Sequence, residues 1–204
     1  ARNAVRQSES PTGAAMGAHA FPIIGPAGVV AIRQLVAVCV LLPTARPPFR
    51  RMTRAQWWPV LLLAFVFATM NLSLYTAIER IGLALAITLE FLGPLAVALA
   101  ASRSRRDLLL AVVVGVGVYV LVLPGPASDW IGIGLALYAA GCWAAYIMLN
   151  RLTGRRLPGV QGPAAATTLT AAAYFPVVVL LVVNGTLTPA ALAFSVAAGL
   201  LSSV

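Results

Sequence analysis

Gly82-Leu-Ala-Leu-Ala-Ile-Thr-Leu-Glu90-Phe-Leu-Gly93-Pro94-Leu-Ala-Val-Ala-Leu99 lies inside an apolar run from Ile81 to Ser102. At ~1.5 Å per residue such a run crosses ~30 Å as a helix, the thickness of a bilayer's hydrocarbon core. Glu90 is the one formal charge in the run and stands at its middle. A charge at that depth costs about 2.5–3.5 kcal/mol on insertion scales, so such residues face a cavity or a partner and mark function. Pro94, four residues on, has no N–H to offer the carbonyl of residue 90. Gly93 and Ala86 are small and share a helix face with Glu90, which leaves room for a ligand or a neighbouring helix. The expectation is that Glu90 lines a polar route through a membrane. The alternative is a packing glutamate bonded to neighbouring hydroxyls.

Composition agrees with a membrane solvent. Of 204 residues, 61% are hydrophobic and 9% charged, against roughly 25% charged in soluble domains. The net charge of +9 comes from 14 arginines and no lysine against five acids. A nucleic-acid reader wants a contiguous basic face, whereas these arginines sit in short clusters between apolar runs, the pattern of membrane topology. Nucleic acid is therefore excluded as a partner. Cys39 and Cys142 each fall inside an apolar run and read as small packing residues, not as a disulfide framework. His19 is the one histidine, so no metal site and no catalytic base is expected from it. No GxxxxGK[ST] loop is present, and nothing in the chain calls for a nucleotide or another cofactor. The chain lacks an initiator Met and a signal-peptide pattern, and its last apolar run stops at Val204; both ends read as incomplete.

Taken in order, Pro11–Gly25 reads as the end of a first helix and includes Gly13-Ala-Ala-Met-Gly17, a spacing that permits close helix approach. Gly25-Pro26 breaks it. Ala27–Pro43 follows as a second helix holding Arg33, which could snorkel to the nearer surface or point inward. Thr44–Gln56 is a basic loop. Trp57–Ile78 is a third helix, opened by two tryptophans suited to the interface, with Asn71 and Tyr75 four apart on one face. Glu79-Arg80 is expected to form a tight turn before the Glu90 helix. A fifth helix, Leu108–Pro124, ends at Pro124-Gly-Pro126. Trp130–Asn150 is a sixth, with Trp143 and Tyr146 on related faces. Gly162–Asn184 is a seventh, and Pro189–Val204 begins an eighth. The Asn184-Gly-Thr186 sequon is assigned nothing.

Arginines alternate by connection. Those after the second, fourth and sixth helices hold four, three and three; those after the third, fifth and seventh hold one, none and none. The positive-inside rule then puts the basic loops and the N-terminus in the cytoplasm. Gly25-Pro-Ala27 and Gly162-Pro-Ala164 open helices that run in opposite directions by this count, a faint sign of an inverted repeat.

Four segments carry a family resemblance: Phe21-Pro-Ile-Ile-Gly25 through Arg33, Met70-Asn71-Leu-Ser-Leu-Tyr75, Leu89-Glu90-Phe-Leu-Gly93-Pro94, and Gly141-Cys-Trp143-Ala-Ala-Tyr146. Together they resemble the EamA-type branch of the drug/metabolite transporter superfamily, and within it bacterial inner-membrane threonine/homoserine exporters. The likeness runs from about Gly13 to Val204. It implies an all-α polytopic bundle of ten helices in two inverted five-helix halves, with a central cavity and alternating access. Seven to eight of those helices are expected here, as a first repeat over 1–126 and the start of a second over 127–204. The beginning of the first helix and the second-half counterparts of the Asn71 and Glu90 helices are missing from the pattern.

The expected task is export of a small polar metabolite such as an amino acid across the cytoplasmic membrane, coupled to protons through Glu90. Desolvation disfavours the charged form of a carboxyl group, which is what a proton carrier needs. Substrate or proton contacts are expected from Glu90, Asn71, Tyr75, Pro94, Gly93, Trp143, Tyr146 and Arg33. For Asn71 and Tyr75 the alternative is interhelical bonding, and for the two aromatics ordinary packing. The rival functions are a multidrug exporter of lipophilic cations and a non-transporting membrane fragment. An intramembrane enzyme would need a cluster of His, Asp or Ser that is not there. The partners are a small-molecule substrate and the bilayer, with a homo-oligomer left open.

Overall fold

A computed structural model describes residues 21–102, 104–122 and 129–186, with positions 189, 192, 193 and 195–197. Among them are seven α-helices and no strand: α1 (Phe21–Ala45), α2 (Arg54–Ile81), α3 (Leu83–Glu90), α4 (Leu92–Ala101), α5 (Arg105–Val122), α6 (Trp130–Gly154) and α7 (Gln161–Val183), with one 3-10 turn at Phe49–Arg51. Among the described residues, five stretches are long and apolar enough to cross a bilayer: Ile24–Ala45, Arg54–Ile81, Leu83–Ala101, Trp130–Gly154 and Gln161–Val183. The protein is a multi-pass helical membrane protein. Leu109, Val112 and Val116 on α5 and Leu180 and Val183 on α7 are exposed; such apolar surface suits lipid tails and would be a liability in water.

The expected first-helix segment Pro11–Ala20 with its Gly13–Gly17 spacing, His19, the Pro124–Pro126 break, the repeat boundary at 126–127 and most of the eighth helix lie outside the described residues.

Local chemistry sets the helix ends. The expected break at Gly25-Pro26 is a kink inside α1, where Gly25 takes φ 68° and ψ 170°, a conformation open to glycine and costly for other residues. α1 closes at Ala45, two residues past the stretch assigned from sequence. Arg46 follows at φ 44° with Pro47-Pro48 behind it, the usual order of a left-handed stop and a residue unable to continue the helix. α2 opens on one half of a capping box: the Thr53 N–H donates to Gln56 Oε1 at 3.0 Å. The turn expected at Glu79-Arg80 is instead the last turn of α2. The reversal is made by Gly82 alone, at φ 83°, because a single residue with positive φ suffices where glycine stands.

Contacts divide the chain into two units. The first takes residues up to Phe65 and from Leu149 onward; the second is Val66–Met148. In the first unit α1 and α7 pack together, and Gly28 near the start of α1 lies against Leu181 near the end of α7. Near-start against near-end is what oppositely directed helices give. α7 buries a face of small residues, Gly162, Ala164–Ala166, Thr167, Thr170 and Ala171, the composition that lets membrane helices approach. Thr170 Oγ1 donates to the Ala64 carbonyl at 3.0 Å across the contact with α2. Cys39 is exposed, which corrects its reading as a packing residue, while Cys142 is buried; both are free thiols.

Candidate transport site

The site is built in the second unit around the interruption at Glu90. Sequence reading gives one helix from Ile81 to Ser102; the structure gives two, α3 and α4, divided at Phe91. The cause is the proline. Phe91 N–H reaches the Ile87 carbonyl at 3.0 Å and Leu95 N–H reaches Phe91 at 3.2 Å, but Pro94 has no N–H for Glu90. Phe91 keeps helical angles, φ −61° and ψ −16°, so the ladder is broken while the direction is nearly kept. Ala86, Leu89, Glu90 and Gly93 are buried around this joint.

α6 holds the joint from one side. A Cβ built on Gly93 would overlap the Ala140 carbonyl oxygen and stand 2.8 Å from the Ala140 carbonyl carbon, so the two backbones touch. One turn away, the Phe91 and Trp143 rings meet at 5.3 Å. α6 lies antiparallel to the second half of α2. Phe67 stacks on Tyr146 at 5.6 Å, Thr69 Oγ1 approaches Cys142 Sγ at 3.8 Å, and Gly132 sits under Arg80 and Ile81.

That second half of α2 carries Asn71 and Tyr75, ~15 and ~9 Å along the axis from the end of α2 at Ile81. Asn71 is 1% exposed, Tyr75 0% and Glu90 5%. All three are closed to solvent in this state. The Asn71 side-chain N–H donates back to the Phe67 carbonyl at 2.8 Å. The ring contacts of Trp143 and Tyr146 are aromatic packing, with both side chains half-buried. Arg33 belongs to the first unit and is also 5% exposed. Gly93 supplies close approach and Pro94 the break. Sequence reading therefore names the residues of the joint, but it misses Ala140, Phe91 and Phe67 as their partners. Only the small-residue run Ala136, Ala139, Ala140 on α6 carried a signal for that contact.

At one end of the unit stands a latch. Arg80 Nη1 donates to Asp129 Oδ2 at 2.9 Å, and Asp129 Oδ1 accepts from the Ile131 and Gly132 N–H groups at 3.0 Å each, which caps α6. An Asp immediately before an apolar run is the readable signal for such a cap. The Gly132 N–H first, and the Arg80 guanidinium second, hold the Asp129 carboxyl below its ordinary value of 3.8. A carboxyl so lowered contributes stability above its unfolded value and loses it as pH falls through the lower folded one. The expected result is that thermal stability in detergent drops below about pH 4 in part through this group. Asp129→Ala should lower the unfolding midpoint at neutral pH more than Asp129→Asn, because asparagine keeps the cap and removes only the ion pair.

No family model matches the chain, and no solved structure matches it. Curated sequences do. The Threonine/homoserine exporter RhtA of Salmonella typhimurium (strain LT2) is 33% identical over 163 residues, covering 78% of this chain and 54% of that protein. The Threonine/homoserine exporter RhtA of Escherichia coli (strain K12) is 33% identical over 155 residues, 74% of this chain and 51% of that protein. Both are named exporters, not enzymes, and the chain spans about half the length of the curated relatives it matches. Over that matched stretch the chain is a homologue of the threonine/homoserine exporters, the kinship its resemblance to EamA-type transporters implied.

Proposed function

We propose that the protein exports a small amino acid, with threonine and homoserine the first substrates to test, and that protons drive it through Glu90. The observation that carries the reading is a carboxyl side chain buried at mid-span, at a proline-broken helix joint, in a homologue of named exporters. Asn71 and Tyr75 would meet the polar groups of the substrate. Because Glu90, Asn71 and Tyr75 are closed to solvent, transport needs a second conformation in which they open, as alternating access does. The antiparallel pairing of α1 with α7 supports an inverted repeat.

We place the protein in the cytoplasmic membrane with the N-terminus and basic loops inside. Gln56 Nε2 donates to the Arg156 carbonyl at 2.9 Å, which brings two arginine-rich connections to one end. The Arg80–Asp129 latch occupies the opposite ends of α2 and α6. The alternation of charge along the chain supports this orientation.

The test is efflux from proteoliposomes holding the full-length protein and labelled threonine or homoserine. A proton gradient should speed efflux well above the leak of protein-free vesicles, and a protonophore should abolish the gain. Efflux indifferent to the gradient would remove the coupling, and gradient-driven efflux of cationic dyes alone would replace the substrate class.

A further inference from the structure

Five of the protein's arginines are left facing water at one place. Residues 43–61 and 149–161 contain Arg46, Arg50, Arg51, Arg54, Arg151, Arg155 and Arg156 and no acidic side chain. The described acids lie elsewhere, at Glu79, Glu90, Asp107 and Asp129. Both segments belong to the first unit, and they are fastened together. Besides the Gln56–Arg156 bond, Arg156 Nη1 donates to the Ala55 carbonyl and its guanidinium lies 5.1 Å over the Trp58 ring. Arg46 Nε turns back to the Pro43 carbonyl at 3.3 Å. That leaves Arg50, Arg51, Arg54, Arg151 and Arg155, all exposed, with no ion pair among the described residues.

The backbone under these cations is ordered by contacts, not left as a loose loop. Pro47-Pro48 leads into the 3-10 turn Phe49–Arg51, and the Phe49 ring packs on Trp57 at 6.3 Å. Arg50 and Arg51 are therefore held next to the tryptophan pair that opens α2. Trp58 is exposed, and tryptophan at the end of a membrane helix settles at headgroup depth. Cations carried at that depth by arginine meet phosphate with two parallel hydrogen bonds.

We infer that this collar is a binding site for the phosphate of anionic phospholipids, which seat against Arg50, Arg51, Arg54 and Arg155 with Trp57 and Trp58 in the interface. Topology alone asks only that positive charge be on one side. The inference goes further: the joined segments select anionic over zwitterionic lipid, and they do so whether or not the exporter reading holds. The occupant is lipid and not free phosphate, because the tryptophans place the cations beside headgroups. Each basic residue near an anionic surface strengthens association about fivefold.

The experiment is tryptophan quenching in vesicles by brominated phosphatidylglycerol against brominated phosphatidylcholine, with Trp130→Phe and Trp143→Phe leaving the pair at 57–58 as reporters. Phosphatidylglycerol should quench preferentially, and the preference should shrink between about 0.05 and 0.5 M salt as screening tightens. Arg50→Gln, Arg51→Gln, Arg54→Gln and Arg155→Gln together should weaken the association roughly tenfold or more. The matching Lys set keeps the charge and most of the preference, so a folding failure of the Gln set leaves a second measure. Equal quenching by the two lipids, a preference that survives in a folded Gln set, or its abolition by inorganic phosphate at the lipid's concentration would overturn the proposal.

Discussion

Gly93→Ala is expected to lower the midpoint of thermal unfolding in detergent by roughly 3–10 °C, the range that an overpacked contact costing about 1–3 kcal/mol gives in a chain of this size. The reason is geometric. The nearest atoms to the added methyl are the carbonyl oxygen and carbon of Ala140 and its Cα at 3.1 Å, all of them backbone. A crowded side chain can change rotamer; a helix backbone cannot, so α4 must move away from α6 as a body. Gly115 and Gly141 are the controls. Both are helical, and a Cβ at either meets nothing within 4 Å, so Gly→Ala there should be neutral or raise the midpoint slightly through helix propensity. If Gly93→Ala behaved like the controls, the backbone contact at Ala140 would not exist. The displacement would also carry Glu90, three residues earlier, so export should fall with stability in this variant and in neither control.

How much of this was legible beforehand follows from the kind of interaction involved. Glu90, Pro94 and Gly93 announce themselves in sequence because each breaks a rule of an apolar helix: a charge in oil, a missing donor, a missing Cβ. The kink at Gly25 was readable for the same reason. The partners were not. Ala140 is one alanine among many in α6, and nothing in its identity says that its carbonyl lies under Gly93; that depends on helix register, which only packing sets. Trp143 and Tyr146 suit ring packing more than a cavity wall from sequence, but neither spacing nor composition names Phe91 and Phe67 as the rings they meet. Two charges in an apolar chain suggest a loop, so the sequence points to a turn at Glu79-Arg80 and the structure makes it at Gly82. Arg80 is instead used inside the helix to reach Asp129, and the glycine that makes the reversal reads in sequence as part of the next span.

Glu90→Gln is expected to reduce gradient-driven efflux about a hundredfold or more, into the protein-free leak, if the carboxyl carries the coupling proton. Glutamine keeps the volume and the hydrogen-bonding reach of the side chain and removes only the exchangeable proton, so membrane levels and the unfolding midpoint should stay near those of the parent. That pairing separates coupling from folding, which Gly93→Ala cannot do. A second measurement divides the two jobs Glu90 could have. Exchange of labelled for unlabelled threonine needs substrate binding and reorientation but no net proton flux. If Glu90 only carries the proton, Glu90→Gln loses driven efflux and keeps exchange. If it also meets the substrate's ammonium group, both are lost, and Glu90→Asp should restore a fraction of each. Driven efflux unchanged in Glu90→Gln would take Glu90 out of the mechanism. Its burial would then have to be explained by helix packing alone, and a charge-capable group at mid-span would be retained at a cost that glutamine avoids.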